Sequence, residues 1–219
     1  MKNKLKTLHI PYVPELDQLP LANSGDLMEM NAAHQCIDLT AQLMDHAYKP
    51  LTLFDIARGD HDFYIRYFVR GNFLRAVCTD DQQPVYGDSC VSVVFKNEVT
   101  GSLHDFTFNC IGTCAAAYGK AIDTLVAYDV SELKKVRRFA EMGTRPFYEM
   151  EGFFAWQLTV AIPFTLLGLD KGEIPVNFTA NFCKRSDATS LPHFISWAPA
   201  KSDVPGFLQP EYFGKLVIE

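Results

Sequence analysis

VYGDSCVSVVFKNEVTGSLHDFTFNCIGT, residues 85 to 113, is the stretch from which the rest of the chain is read. Cys90, Val91, Val93, Val94 and Phe95 form a β-branched and aromatic run, and Phe106, Phe108 and Cys110 alternate with Asp105, Thr107 and Asn109. The two runs read as antiparallel strands of a hairpin. The intervening KNEVTGS is polar and carries Gly101, the residue that most readily takes a positive φ, so the turn is placed there. A side-chain period of two sends Phe106 and Phe108 into a core and leaves Asp105, Thr107 and Asn109 together on the opposite face, where function is sought.

Working outward, PLTLFDIA (50–57) reads as a strand, GDH as a turn, DFYIRYFVRG (62–71) as a second strand and FLRAVCT (73–79) as a third. DDQQP has turn chemistry and leads into the hairpin. FFAWQLTVAIPF (153–164) puts Phe154, Trp156, Leu158, Val160 and Ile162 on one face, and Pro163 stops it. IPVNFTANFCK sets Asn177, Thr179 and Asn181 against Phe178, Ala180 and Phe182, and the chain closes with a strand at Lys215 to Ile218. Val130 to Lys134 reads as one helical turn with Ser131 as N-cap, and Arg137 and Arg138 of the next short strand point towards solvent. Asp26 to Asp45 is helical on propensity, although Ile37, Leu39 and Ala41 also alternate. Residues 1–48 begin as a proline-punctuated arm laid along a sheet edge, with a short strand at Lys6 to Ile10. Strands at short intervals with turns between them predict an all-β chain, a two-sheet antiparallel β-sandwich of jelly-roll or immunoglobulin type with a few helical turns. One domain over residues 1–219 is expected.

A hydrophobic content of 48% with 13% aromatic residues suffices for a full core, and the net charge of -6 with scattered lysines and arginines disfavours nucleic acid. MKNKLKTLHIPYVPEL has no apolar stretch of an export signal, and no run is long enough to cross a bilayer, so a cytoplasmic protein without membrane contact is expected. The six cysteines then read as buried thiols, and Cys110 and Cys114 lack zinc-ligand spacing. A nucleophilic Cys110 beside His104 or His193 is the competing reading. Asp80, Asp81 and Asp88 are candidates to assemble oxygen ligands for calcium, against the simpler reading of an ordinary turn, since the loop lacks an EF-hand pattern.

FYIRYFV, PVYGDSCVSVVF, DFTFN, AWQLTVAIPF, VNFTANF, FISW and PGFLQPEYFGKL, in that order from about Lys49 to the end, resemble the family-nine carbohydrate-binding modules. The resemblance implies a sandwich that holds a mono- or oligosaccharide between two aromatic rings, with polar side chains from neighbouring strands gripping hydroxyls. It is closer to a free-standing branch of that family than to the xylanase appendages, and bound calcium is known in the family. Carried across, the two rings fall on Tyr86 and Phe207, where the sugar-binding modules have tryptophans. Thr107 stands where they have a long basic side chain and Thr179 where they have a long amide, so the ligand or its pose differs. Asn109 and Asn181, two residues further along, take over part of that work. Arg75, His193 and Trp197 complete the candidate ligand set, each with a bland alternative: an ion pair for Arg75, a structural hydrogen bond for His193, core packing for Trp197. No residue is assigned a catalytic role. The enzyme alternative is a glycoside hydrolase acting on xylan-type glycans through Asp105 with Glu98 or Glu149 with Glu151, and it is weaker because these acids lie mostly in turns with no apolar setting to raise a pKa. The third reading is a sandwich that has lost its ligand.

Overall fold

The computed structural model describes residues 5–40, 48–169, 177–200 and 209–219. In chain order the strands are β1 Thr7–Ile10, β2 Ala33–Cys36, β3 Leu39–Thr40, β4 Leu51–Arg58, β5 Asp62–Ala76, β6 Cys90–Asn97, β7 Leu103–Asn109, β8 Cys114–Gly119, β9 Val126–Ala127, β10 Arg137–Ala140, β11 Phe147–Pro163, β12 Phe178–Ser186, β13 His193–Ser196 and β14 Gly214–Ile218. Two short helices, α1 Gly25–Asn31 and α2 Val130–Leu133, accompany them. Among the described residues these strands form a nine-stranded sheet, β1-β14-β12-β6-β7-β8-β9 with β13 and β3 branching from β12, and a five-stranded sheet, β10-β11-β5-β4-β2. The pairings are antiparallel except at one edge, where the N-terminal arm adds β1 parallel to β14.

The hairpin forms as its pattern dictates: Val91 pairs with Phe108, Val93 with Phe106 and Val94 with Asp105. At its tip Asn97 Oδ1 accepts from the backbone N–H groups of Val99 and Thr100, and Gly101 takes φ +71°. Phe63, Ile65, Tyr67 and Val69 of β5, with Trp156, Leu158, Val160 and Ile162 of β11, face Val91, Val93, Phe95, Phe106, Phe108, Phe178 and Phe182 across the sandwich. Stacked rings join the sheets, Phe54 on Phe182 with centroids 3.9 Å apart and Phe63 on Phe95 at 5.2 Å. Burial of this apolar face is the main stabilising term.

Four expectations change. The second and third strands are one, because β11 pairs along the whole length of β5 and carries it through Gly71, opposite Phe154. The segment after Asp26 is helical to Asn31, and residues 33–36 leave the helix to pair with the edge of β4; residues 41–45 of that expectation lie outside the described residues. The N-cap of α2 is Asp129, whose carboxylate accepts from Ser131 N–H at 2.7 Å. Arg138 does not point into solvent: its guanidinium makes a bidentate pair with Asp81, at 2.7 and 2.9 Å.

Candidate functional site

The aromatic-Gly-Asp-Ser entry to β6 is anchored from two sides. Asp88 is fully buried and accepts from the N–H groups of Val77 and Cys78 and from Asn109 Nδ2, each at 3.0 Å. Ser89 exchanges hydrogen bonds with the backbone of Arg75 at the end of β5. On the other side, the carbonyls of Tyr86 and Gly87 accept from Asp187 N–H and Ala188 N–H beyond β12. This pinning holds Tyr86 outward with its side chain about half exposed (49%). The Arg185 guanidinium lies over its ring, 5.1 Å from the centroid, and is itself clamped by Asp187.

Beside Tyr86 is a hollow of about 260 Å³ on the outer face of the nine-stranded sheet, lined by Tyr86, Asp105, Thr107, Ala115, Ala117 and Leu125 among others. Its floor follows from pairing: Thr107 lies opposite Ala115 and Asp105 opposite Ala117, so one hydroxyl and one carboxyl stand next to two methyls. Small side chains there leave room for a flat ligand against the sheet. Asp105 is partly buried, and burial pushes its carboxyl up to about 6, against the pull of a hydrogen bond from Thr107 Oγ1 at 3.3 Å and of Arg185. A perturbed carboxylate beside an exposed ring in a hollow is a functional-site signature.

Of the residues singled out in the sequence, Tyr86 and Thr107 come together here. Phe207 lies outside the described residues. The others are placed elsewhere. Asn109 shares the face of Thr107 but is fully buried, donating to Cys78 O and Asp88 and accepting from Thr113 N–H. Asn181 is likewise buried, locked to both backbone groups of Ala198. Thr179 donates to Glu98 at 2.7 Å, and it pairs with Lys96 while Thr107 pairs with Ser92. Four residues of strand put these threonines roughly 13 Å apart along the sheet, too far for one sugar ring. His193 accepts from Lys184 Nζ at 2.9 Å through Nε2 and donates from Nδ1 to Leu191 O, buried against Tyr48. Trp197 is a core residue, with Nε1 donating to Gln35 at 2.9 Å and its ring edge-on to Phe54 and Phe182. Arg75 sits in the anchor, its Nε 3.5 Å from Asp88.

Asp105 and Arg185 are the members that sequence reasoning placed in other roles or missed. The signal for Arg185 was present, since the alternation of Thr179 and Asn181 continues through Cys183 to position 185 on the same face. The calcium candidates do not converge: Asp81 is held by Arg138, Asp88 by backbone N–H groups, and Asp80 by Thr79 and Gln83. Among the described residues no group of three or more His, Cys, Asp and Glu side chains is placed to hold a metal ion. Glu98 is paired with Lys96 and Thr179, and Glu149 accepts from Ser190 N–H. A larger hollow of about 560 Å³ lies on the outer face of the other sheet, where Arg66 donates to Gln157 and to Gly25 O. Among the described residues no helix is long and apolar enough to cross a membrane.

Comparison with known proteins agrees with the architecture. The model of carbohydrate-binding family 9 matches residues 22–218. A protein of Bacteroides uniformis, named as a candidate carbohydrate-binding protein, superposes with a TM-score of 0.91 at 27% identity over 99% of this chain and 100% of its own. Family-9 modules of Caldicellulosiruptor kristjanssonii, solved with cellotriose and with glucose, share the fold at TM-scores of 0.60 and 0.62 and 11% identity; they cover 98% of this chain and 94% and 96% of their own. A search of curated protein sequences finds no match.

Proposed function

The chain belongs to carbohydrate-binding family 9, and from that membership we propose that it is a non-catalytic domain that binds a mono- or oligosaccharide in the hollow beside Tyr86. The observation that carries this is the exposed Tyr86 ring, pinned at its backbone, standing next to the partly buried Asp105 and Thr107 over a floor of Ala115 and Ala117. The C–H face of a pyranose is apolar and packs on a flat ring, which loses little freedom on binding because two χ angles fix it. Its hydroxyls donate to the Asp105 carboxylate and to Thr107 Oγ1, whose own proton is given to Asp105. Phe207, given by the sequence resemblance, is the proposed second ring. The relatives solved with glucose and cellotriose make gluco-configured sugars the first ligands to try. Contrary to the sequence expectation, Asp105 lies on a strand and burial does raise its carboxyl, to about 6; the hydrolase alternative is disfavoured instead because its partner Glu98 is engaged with Lys96 and Thr179, and in the other pair Glu149 accepts from Ser190 N–H.

Calorimetric titration of the full chain with glucose and cellotriose tests the proposal. Saturable binding that weakens about tenfold or more in Tyr86→Ala, a loss of at least 1.4 kcal/mol, is the expected result. Release of reducing ends from cellotriose, or binding indifferent to Tyr86, contradicts it.

A further inference from the structure

Resting on the sugar-binding reading above, we infer that the ligand is an amino sugar whose free ammonium group sits against Asp105. The uncompensated charge in the hollow is the ground for this. Among the described residues the Asp105 carboxylate has one hydrogen-bond partner, the Thr107 hydroxyl on Oδ1, and no ion pair. Directly opposite it on the flanking strands stand Val94 and Ala117, which offer nothing polar from their side chains.

The groups around it do not supply the missing cation. Among the described residues Arg185, on β12, is the one cation whose field reaches Asp105, and it is committed: Nε and Nη2 both donate to Asp187, while its face covers Tyr86. Cys183, from the same strand, is a buried thiol held neutral well above its usual range. Tyr86 brings a phenol. The carboxylate is therefore partly stripped of water without being given a positive partner, and burial holds its proton affinity above that of an ordinary aspartate.

A neutral sugar would donate hydroxyls to Asp105 and leave its charge uncompensated. A hydroxyl on the carboxylate is already a charge-assisted hydrogen bond, but an ammonium on the ring adds an ion pair in a partly water-stripped setting and cancels that charge. The remaining hydroxyls and the C–H face still meet Thr107 and Tyr86. The site would thus rank amino sugars above their neutral and N-acetylated counterparts, since acetylation removes the charge.

The experiment is calorimetry of the full chain at pH 7 with glucosamine hydrochloride, glucose and N-acetylglucosamine, repeated on Asp105→Asn. Glucosamine is expected to bind about tenfold more tightly than either of the others, and the glucosamine-to-glucose ratio is expected to fall to near one in the variant. Should the variant not fold, the wild-type ratio and its decline with added sodium chloride decide the matter, because only a charge-based preference is screened. Equal affinities for glucose and glucosamine in the wild type overturn the amino-sugar inference and leave sugar binding standing. A preference that survives in Asp105→Asn overturns the role of that carboxylate. Silence on all three sugars overturns both this inference and the reading it rests on.

Discussion

Asn109 shows how much a single buried amide does in this chain. Its side chain ties β7 to Cys78 O and Asp88, and its carbonyl oxygen receives Thr113 N–H, so one residue closes the base of the turn that aims Tyr86. Truncation leaves a buried carboxylate and a buried carbonyl short of donors, and unsatisfied groups of that kind cost about 1–3 kcal/mol each. Asn109→Ala is therefore expected to lower unfolding free energy by about 2–4 kcal/mol, measured by urea denaturation, and to weaken sugar binding as well. A variant as stable as the wild type would show that the anchor is not built as described. The period of two correctly put Asn109 and Asn181 on the outer face of their sheet, but periodicity reports a direction and not what lies over it. The Cys78 segment and Ala198 cover these positions, and no local pattern announces such a contact.

Among the elements, the closing strand β14 rests on a close approach. A Cβ on Gly214 would lie 2.2 Å from the Trp197 ring, so the indole occupies the space that any side chain would need. Trp197 in turn is seated against Phe54 and Phe182 and donates to Gln35, joining β14, β12, β4 and β2 around one ring. Gly214→Ala forces the ring or the strand to move, with an expected cost of about 1–3 kcal/mol and a red-shifted tryptophan emission. An unchanged melting temperature and emission maximum would refute this packing. The aromatic-Gly-x-Leu ending was legible as a family feature, whereas its reason, a tryptophan 17 residues earlier in the chain, was not. The hairpin β6–β7 and the apolar stripe of β11 were legible because each carries its own alternation. The unbroken length of β5 was not, because it depends on a partner strand distant in sequence.

At the scale of the whole molecule, buried histidines set the acid limit. Burial pushes His104 down to about 4, and burial together with the Lys184 ammonium pushes His193 down to about 3. In the unfolded chain both bind a proton near pH 6.5, so between that pH and about 4 the unfolded state takes up protons that the folded state refuses. Folded stability falls as pH drops through this window. Asp105 acts in the opposite sense, taking its proton at about 6 when folded but only near 4 when unfolded, and so recovers part of the loss. Two histidines outweigh one carboxyl, and Asp81, held below its usual range chiefly by Arg138 against the upward push of burial, adds to the acid loss. Stability is expected to drop by about 2–3 kcal/mol from pH 6.5 to 4.5, seen as a falling thermal midpoint by circular dichroism. A midpoint that holds or rises on acidification would show that these rings are not buried neutral.

The central claim is that sugar binds on the outer face of the nine-stranded sheet beside Tyr86, and amide shift mapping during a sugar titration of the ¹⁵N-labelled chain tests it most directly. The predicted result is saturable shifts concentrated at Tyr86, Asp105, Thr107, Ala115 and Ala117. Shifts concentrated instead at Arg66, Gln157 and Thr159 on the other sheet, or no shifts at saturating sugar, would contradict it.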